Sequence, residues 1–202
     1  MKNDQNILIK TIPVGPMANF AYLVGDKESK KVAVIDPGWD IQHILDEAKK
    51  LNVEIVCGLL THGHYDHSDV AKKLVEKLDI PVYLSEKEID IYIPDCPRLE
   101  KFKDRQKINV GNLAIECFHT PGHAPGCACF YVPGHLFTGD TLFVNGCGRY
   151  DLPGGDKAAL KKSLSKIVKE FPAETIIYPG HAYGPHATST LGEQKMTNPH
   201  LQ

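Results

Sequence analysis

The stretch Thr61-His62-Gly63-His64-Tyr65-Asp66-His67 packs three histidines and an aspartate into six residues, His62 to His67. Imidazole nitrogens and carboxylate oxygens are the donors that zinc, manganese and iron take, and they are costly to bury uncompensated. One loop histidine is ordinarily a solvated side chain. Three beside a carboxylate, directly after an apolar run, point instead to metal ligation. That run, Ile55 to Leu60, is partly β-branched and reads as a buried strand. After the motif, Val70, Ala71, Leu74, Val75 and Leu78 recur at helical spacing, with Ser68 as the expected N-cap. The motif thus sits on a strand-to-helix loop, where rigid elements present side chains. His62 and His64 project from one side of an extended end, and Asp66 and His67 follow the turn. That geometry suits two adjacent ions better than one.

Three later sites share one build: a ligand-type residue beside glycine at the end of a strand-like run. They are His119-Thr120-Pro121-Gly122-His123, Gly139-Asp140 and Pro179-Gly180-His181. Glycine lets the backbone turn sharply there and bring a donor close to its neighbours. Each is weak alone, because Gly-Asp is a common turn and a Gly-His pair is ordinary. In this order after the first motif they form a set. One ion is expected to take His62, His64 and His123, and the second Asp66, His67 and His181, with Asp140 bridging the two. Asp66 is also the expected catalytic carboxylate. The donors suit two divalent metal ions, zinc ahead of iron or manganese, since ligand type alone does not fix the metal.

The elements that must position these residues are legible in outline. Ile7–Ile12, Phe20–Gly25 and Lys31–Asp36 read as strands separated by turn-rich Pro13 to Pro16 and polar Asp26 to Ser29. Asp40 caps a helix with Ile41, Ile44, Leu45, Ala48 and Leu51 on one face. Pro81 to Leu84 is a further strand. Glu86 to Lys107 is polar, carries Arg98, Lys101, Lys103, Arg105 and Lys107, and reads as a mobile surface segment, a solvated face ahead of one that meets an anionic substrate. Leu113–Phe118, Cys127–Val132 and His135–Thr138 return to strand character. Asp156 begins a helix through Leu160, Leu164, Ile167, Val168 and Phe171, and Glu174–Tyr178 is the last strand. Strands in two groups with a few amphipathic helices predict an α+β sandwich.

No repeat or linker divides the 202 residues, which suit a single domain over 1–202 with a substantial core. The net charge of −2 gives no nucleic-acid footprint. Neither an N-terminal apolar segment nor a membrane-length run is present, so a cytoplasmic location without membrane association is the expectation. The six cysteines form no C-x-x-C pair and read as small buried hydrophobes. Cys127-Ala128-Cys129 is read as structural rather than as a soft metal pair. Oligomeric state leaves no signal in the sequence.

The series His-x-His-x-Asp-His, Thr-Pro-Gly-His, Gly-Asp and Pro-Gly-His resembles that of the metallo-β-lactamase superfamily, over essentially the whole chain. The resemblance implies an αββα four-layer sandwich with the metals at one edge between the sheets. It implies that Asp36 is an early structural aspartate and that His119 is not a ligand. Within the superfamily, Gly146-Cys147-Gly148-Arg149 resembles the glyoxalase II (hydroxyacylglutathione hydrolase) group, where the basic residue helps hold glutathione. Arg149 inherits that substrate-binding role, since its fork suits a carboxylate. Asp151 to Asp156, and the run from Ser189 to Pro199, are similar to short bacterial and archaeal relatives of that enzyme. The full-length enzymes carry a helical C-terminal domain with further glutathione contacts, and this sequence stops about where it would begin. The thiol carrier therefore stays open.

The leading expectation is a dinuclear metallohydrolase cleaving a small-molecule thioester, glutathione-linked thioesters among them, through a hydroxide bridging the two ions. A second reading uses His62, His123 and Asp140 alone as the two-histidine, one-carboxylate set of a mononuclear iron enzyme. The chain resembles persulfide dioxygenases of the superfamily in Thr120 to Cys127 and in Gly146 to Arg149. It ranks second because Asp66, His67 and His181 would then bind no metal. A metal-stabilised binding module is a third, disfavoured because structural sites are usually closed and rich in cysteine.

Overall fold

In the computed structural model, which describes residues 6–202, two six-stranded sheets face each other. The first holds β1 (Ile7–Val14), β2 (Asn19–Asp26), β3 (Lys31–Ile35), β4 (Glu54–Leu59), β5 (Val82–Ser85) and β6 (Leu99–Phe102), in that spatial order. The second holds β7 (Lys107–Val110), β8 (Leu113–His119), β9 (Ala128–Val132), β10 (His135–Gly139), β11 (Ile176–Pro179) and β12 (Ser189–Thr190), with β7 and β12 at its edges. Helices α1 (Ile41–Leu51), α2 (Tyr65–Ser68) and α3 (Ala71–Leu78) belong to the first half, and α4 (Lys157–Glu170) and α5 (Leu191–Thr197) to the second.

The apolar clusters define four layers. Tyr22, Val24 and Ile35 from the first sheet meet Ile115, Phe130 and Phe137 from the second in the central core. On the outer face of the first sheet, Leu23 and Val34 pack with Ile44 of α1 and Leu74 of α3. Phe118, Leu136 and Ile177 of the second sheet pack with Leu160, Leu164 and Ile167 of α4. Strands covered on both faces lose the alternating pattern and read as continuous apolar runs, which is why all of β2 is buried. The αββα sandwich expected from the resemblance is the fold.

Local signals account for the longer helices. Asp40 accepts from the His43 amide at the start of α1, and Asp156 accepts from the Ala158 and Ala159 amides at the start of α4. Ser68 is not an N-cap. It ends α2, and its hydroxyl donates to the Gly63 and His64 carbonyls (3.1 and 3.0 Å), bracing the histidine loop instead.

The polar segment after β5 departs most from expectation. It holds a short 3-10 turn at Asp90–Tyr92 and then β6, which pairs in parallel with β5 from Val82–Leu99 to Ser85–Phe102. Its basic residues hid an edge strand whose buried contribution is a single side chain, Phe102. Arg98 pairs with Asp79, and Arg105 with Glu116 and Glu170. The brief edge strand β12 and helix α5, whose Thr190 cap accepts from the Glu193 amide, also went unread. No helix among the described residues is long and apolar enough to cross a membrane.

Candidate metal centre

The sheets meet at one edge, where the Phe20 amide donates to the Gly180 carbonyl and the Ala128 amide to that of Thr61 (both 2.8 Å). The ligand-bearing turns converge there. His62 follows β4, His64 precedes α2, Asp66 and His67 lie in α2, His123 lies between β8 and β9, and Asp140 and His181 follow β10 and β11. All seven are buried, and they fall into three overlapping donor groups: His62–His64–His123, His62–His67–Asp140 and Asp66–His67–His181. Within each group the donor atoms lie within 4.8 Å of one another. Asp140 reaches both ends, with Oδ2 3.5 Å from His123 Nε2 and 3.4 Å from His181 Nε2, and Oδ1 3.4 Å from His67 Nε2. Two glycines permit this closeness. Gly139 adopts φ +48°, and a Cβ on Gly180 would stand 2.4 Å from Asp140 Oδ1.

A second layer fixes the tautomers. His67 Nδ1 donates to Asp36 Oδ2 (3.0 Å), His123 Nδ1 to the Arg149 carbonyl (2.6 Å) and His181 Nδ1 to the Met17 carbonyl (2.9 Å). The Thr61 hydroxyl donates to Asp36 Oδ2 (2.7 Å), which leaves its oxygen to accept from His62 Nδ1 at 3.1 Å. In the neutral form each of these four rings then turns a bare Nε2 towards the cluster. His64 instead presents Nδ1, 3.1 Å from His62 Nε2 and 2.9 Å from His123 Nε2. Asp36 holds the arrangement together from φ +48°, accepting also from the Thr61 amide at 2.7 Å. This is the structural role the resemblance implied for it.

Burial and the neighbouring histidines push the His62 pKa well down, and burial with His123 beside it lowers His64 to about 4. At the other end, burial opposes charge on His67, but Asp140 and Asp36 outweigh it and raise that residue to about 9. For His181, likewise, burial is outweighed by the hydrogen bond to Asp140, and its pKa rises. Asp140 is held well below the usual carboxylate range: burial raises it, and His67 and His181 more than reverse that. Asp140 Oδ1 and His64 Nε2 are buried without a hydrogen-bond partner among the described residues. An orphaned carboxylate oxygen amid converging imidazole lone pairs fits divalent cations and is costly otherwise.

Several residues that shape the site gave no sequence signal. Asn19 donates to Asp66 Oδ2 (2.9 Å) and accepts from Trp39 Nε1 (2.9 Å). Glu88, buried, accepts from the Gly63 amide (2.9 Å) and the Gly126 amide (3.2 Å), clamping the loops that carry His64 and His123. The Tyr92 ring stands edge-on to His64 with centroids 4.3 Å apart, and the Tyr183 ring stacks on His181 at 4.5 Å. Glu88 and Tyr92 come from the segment read as mobile surface, so composition pointed away from them.

Arg149 lies at the rim of the cavity over the cluster. Its carbonyl orients His123, while its guanidinium makes a two-pronged, exposed pair with Asp151 (2.7 and 2.8 Å). None of the five cations from Arg98 to Lys107 lines that cavity. His119 Nε2 donates to the Pro125 carbonyl (2.9 Å), outside the cluster. All six cysteines are free, and burial pushes Cys127 well up and Cys129 to about 12, so both stay neutral thiols.

Residues 14–181 match the model of the metallo-beta-lactamase superfamily. The chain is 36% identical over 166 residues to the probable polyketide biosynthesis zinc-dependent hydrolase PksB of Bacillus subtilis, covering 82% of this chain and 74% of that protein. It is 31% identical over 208 residues to the human mitochondrial persulfide dioxygenase ETHE1, covering 96% and 76%. The crystal structure of TTHA1623 in a di-iron-bound form superposes with a TM-score of 0.81 at 34% identity, covering 94% of this chain and 98% of that one.

Proposed function

This chain belongs to the metallo-β-lactamase superfamily, and from that premise we propose that it is a dinuclear metal-dependent hydrolase acting on thioesters. The observation that carries the reading is the second donor group. Asp66, His67 and His181 converge as closely as His62, His64 and His123, and Asp140 lies between the two sets. In a single-ion enzyme Asp66, His67 and His181 would bind no metal. Zinc is the proposed metal, on donor chemistry and on likeness to a zinc-dependent hydrolase; likeness to a di-iron protein makes iron the alternative.

Divalent ions held by these residues supply a water acidified towards neutrality and an electrophile for a carbonyl oxygen. The chain does the rest. Asn19 pins Asp66 Oδ2 beside His67 and His181, where this carboxylate would help hold an ion and would be the group on hand to receive the water's proton. Asp36, Thr61 and the carbonyls of Met17 and Arg149 keep the imidazoles from turning. Water oxygen adds to the thioester carbon, the carbon–sulfur bond breaks, and the thiolate leaves and takes up a proton. Thiols ionise near about pH 8.5, which makes thiolate a far better leaving group than alkoxide. Cys127 and Cys129, buried and neutral, take no part.

A second reading, persulfide oxygenation, draws support from the 31% identity to human persulfide dioxygenase across 96% of this chain. One experiment separates them: metal content of protein purified without added metal, paired with thioester hydrolysis and persulfide-dependent oxygen uptake. Two equivalents of metal with thioester turnover are expected. One equivalent of iron with oxygen uptake and no hydrolysis would replace the first reading by the second.

A further inference from the structure

The cavity above the cluster has a volume of about 1090 Å³. Among the described residues there are seven exposed large apolar side chains, and four of them, Met17, Tyr65, Ile91 and Tyr183, line it. They come from four separate stretches: the turn after β1, the start of α2, the 3-10 turn before β6 and the loop after β11. Apolar side chains scattered singly over a surface are ordinary, but convergence on one cavity is not. The wall is also organised. The Tyr65 hydroxyl donates to Met17 Sδ at 3.2 Å, Tyr183 stacks on His181, and Phe143 meets Tyr183 edge-on at 5.5 Å. Apolar surface therefore runs outward from a ligand histidine to the cavity mouth.

The charges point the same way. The lining cations are Lys72 and Arg149, and each already faces a carboxylate, Lys72 Nζ 2.6 Å from Asp95 and Arg149 2.7 Å from Asp151. Asp69 and Asp95 line the cavity as well. With Lys72 and Arg149 each matched by a carboxylate, and Asp69 beside them, the outer wall offers an anionic group no excess of positive charge.

We infer that this cavity selects thioesters whose acyl group is an uncharged hydrocarbon chain of several carbons, seated against Met17, Tyr65, Ile91 and Tyr183. The inference rests on the thioesterase reading, and its test separates the two. Calorimetry on the zinc-loaded protein would use non-hydrolysable S-alkyl thioethers of N-acetylcysteamine, from methyl to octyl, beside ω-carboxyalkyl counterparts. Each added methylene should tighten binding by about two- to fourfold until the wall is covered, and a terminal carboxylate should cancel the gain. Ile91→Asp and Tyr183→Ser should each flatten the series. Met196→Ser, which alters an exposed apolar residue on α5 outside the cavity, should leave it unchanged. Affinity independent of chain length, or tighter binding of the carboxylates, overturns the inference whether or not thioesters are hydrolysed. Length-dependent binding without turnover of the matching thioesters upholds the apolar cavity and removes the thioesterase reading instead.

Discussion

The two ends of the cluster have opposite electrostatics. At the His62–His64–His123 end every donor is an imidazole, the nearest outer partners are a hydroxyl and a carbonyl, and the pKa values of His62 and His64 are lowered. At the Asp66–His67–His181 end two of the outer or bridging groups are carboxylates, and the His67 and His181 values are raised. At the first end the lowered values leave His62 and His64 without a proton for a cation to displace at neutral pH. At the second it must displace one, but it meets more negative charge when it does. Ions at the two ends would therefore bind with unequal affinity, and Asp140, which reaches both ends, would couple them.

The harshest way to break the contrast is Asp140→Asn. Losing an outer partner of a metal ligand costs about 10- to 100-fold in affinity or activity, and a carboxylate that faces both ends should cost more. Loss of metal at both ends and a fall in kcat beyond about a hundredfold are expected, read by elemental analysis and steady-state kinetics. Two retained ions with near-normal turnover would remove the bridging role.

His64→Ala and His181→Ala should divide the cluster. Each is expected to lower the metal content by one ion at a different end, with the sensitive ion identified by stepwise chelator titration. Full metal and full activity in His181→Ala would end the dinuclear assignment.

Glu88→Gln tests a milder coupling. Glu88 accepts from the Gly63 amide on Oε2 and from the Gly126 and Ile89 amides on Oε1, and an amide keeps only one of these two acceptor oxygens. Metal affinity at the first end should fall by roughly tenfold while the second end keeps its own. Equal weakening of both would show a general loss of folding rather than positioning.

Proton release sharpens the comparison further. His67 titrates at about 9 against an ordinary 6.5, because Asp140 and Asp36 outweigh burial. A raised value stabilises the metal-free fold fully below 6.5, and that contribution is lost as pH rises through about 9. Metal-free protein should therefore lose thermal stability over this window, while metal-loaded protein, its proton already displaced, should not. Calorimetry in buffers of different ionisation enthalpy should show proton release on filling the second end and none from His64. Release from both ends alike would erase the distinction.

The smallest effect is expected at Arg149. Its exposed guanidinium is paired with Asp151, and exposed pairs contribute little. Arg149→Ala should change kcat/KM for neutral and anionic thioesters by less than about threefold. A selective loss of ten- to a hundredfold, roughly the size of a charge-assisted contact, would instead make Arg149 a substrate anchor.

The sequence by itself determined the donor set. His62, His64, Asp66 and His67 are neighbours in the chain, so their spacing is visible without the fold, and the glycines beside His123, Asp140 and His181 mark turns at strand ends. It also determined α1 and α4, because Asp40 and Asp156 act on amides two or three residues away. Only the tertiary structure decided which carboxylate and carbonyl each ring would meet. Asn19 reaches Asp66 across 47 residues, and His181 reaches Met17 across 164. The strand β6 was illegible for the same reason: with mostly exposed side chains its pairing to β5 comes from the backbone, which composition does not encode. Glu88 and Tyr92 followed it into the unread segment. Local spacing is a property of the chain, whereas charge, tautomer and cavity arise from contacts that exist only once the two sheets have closed on each other.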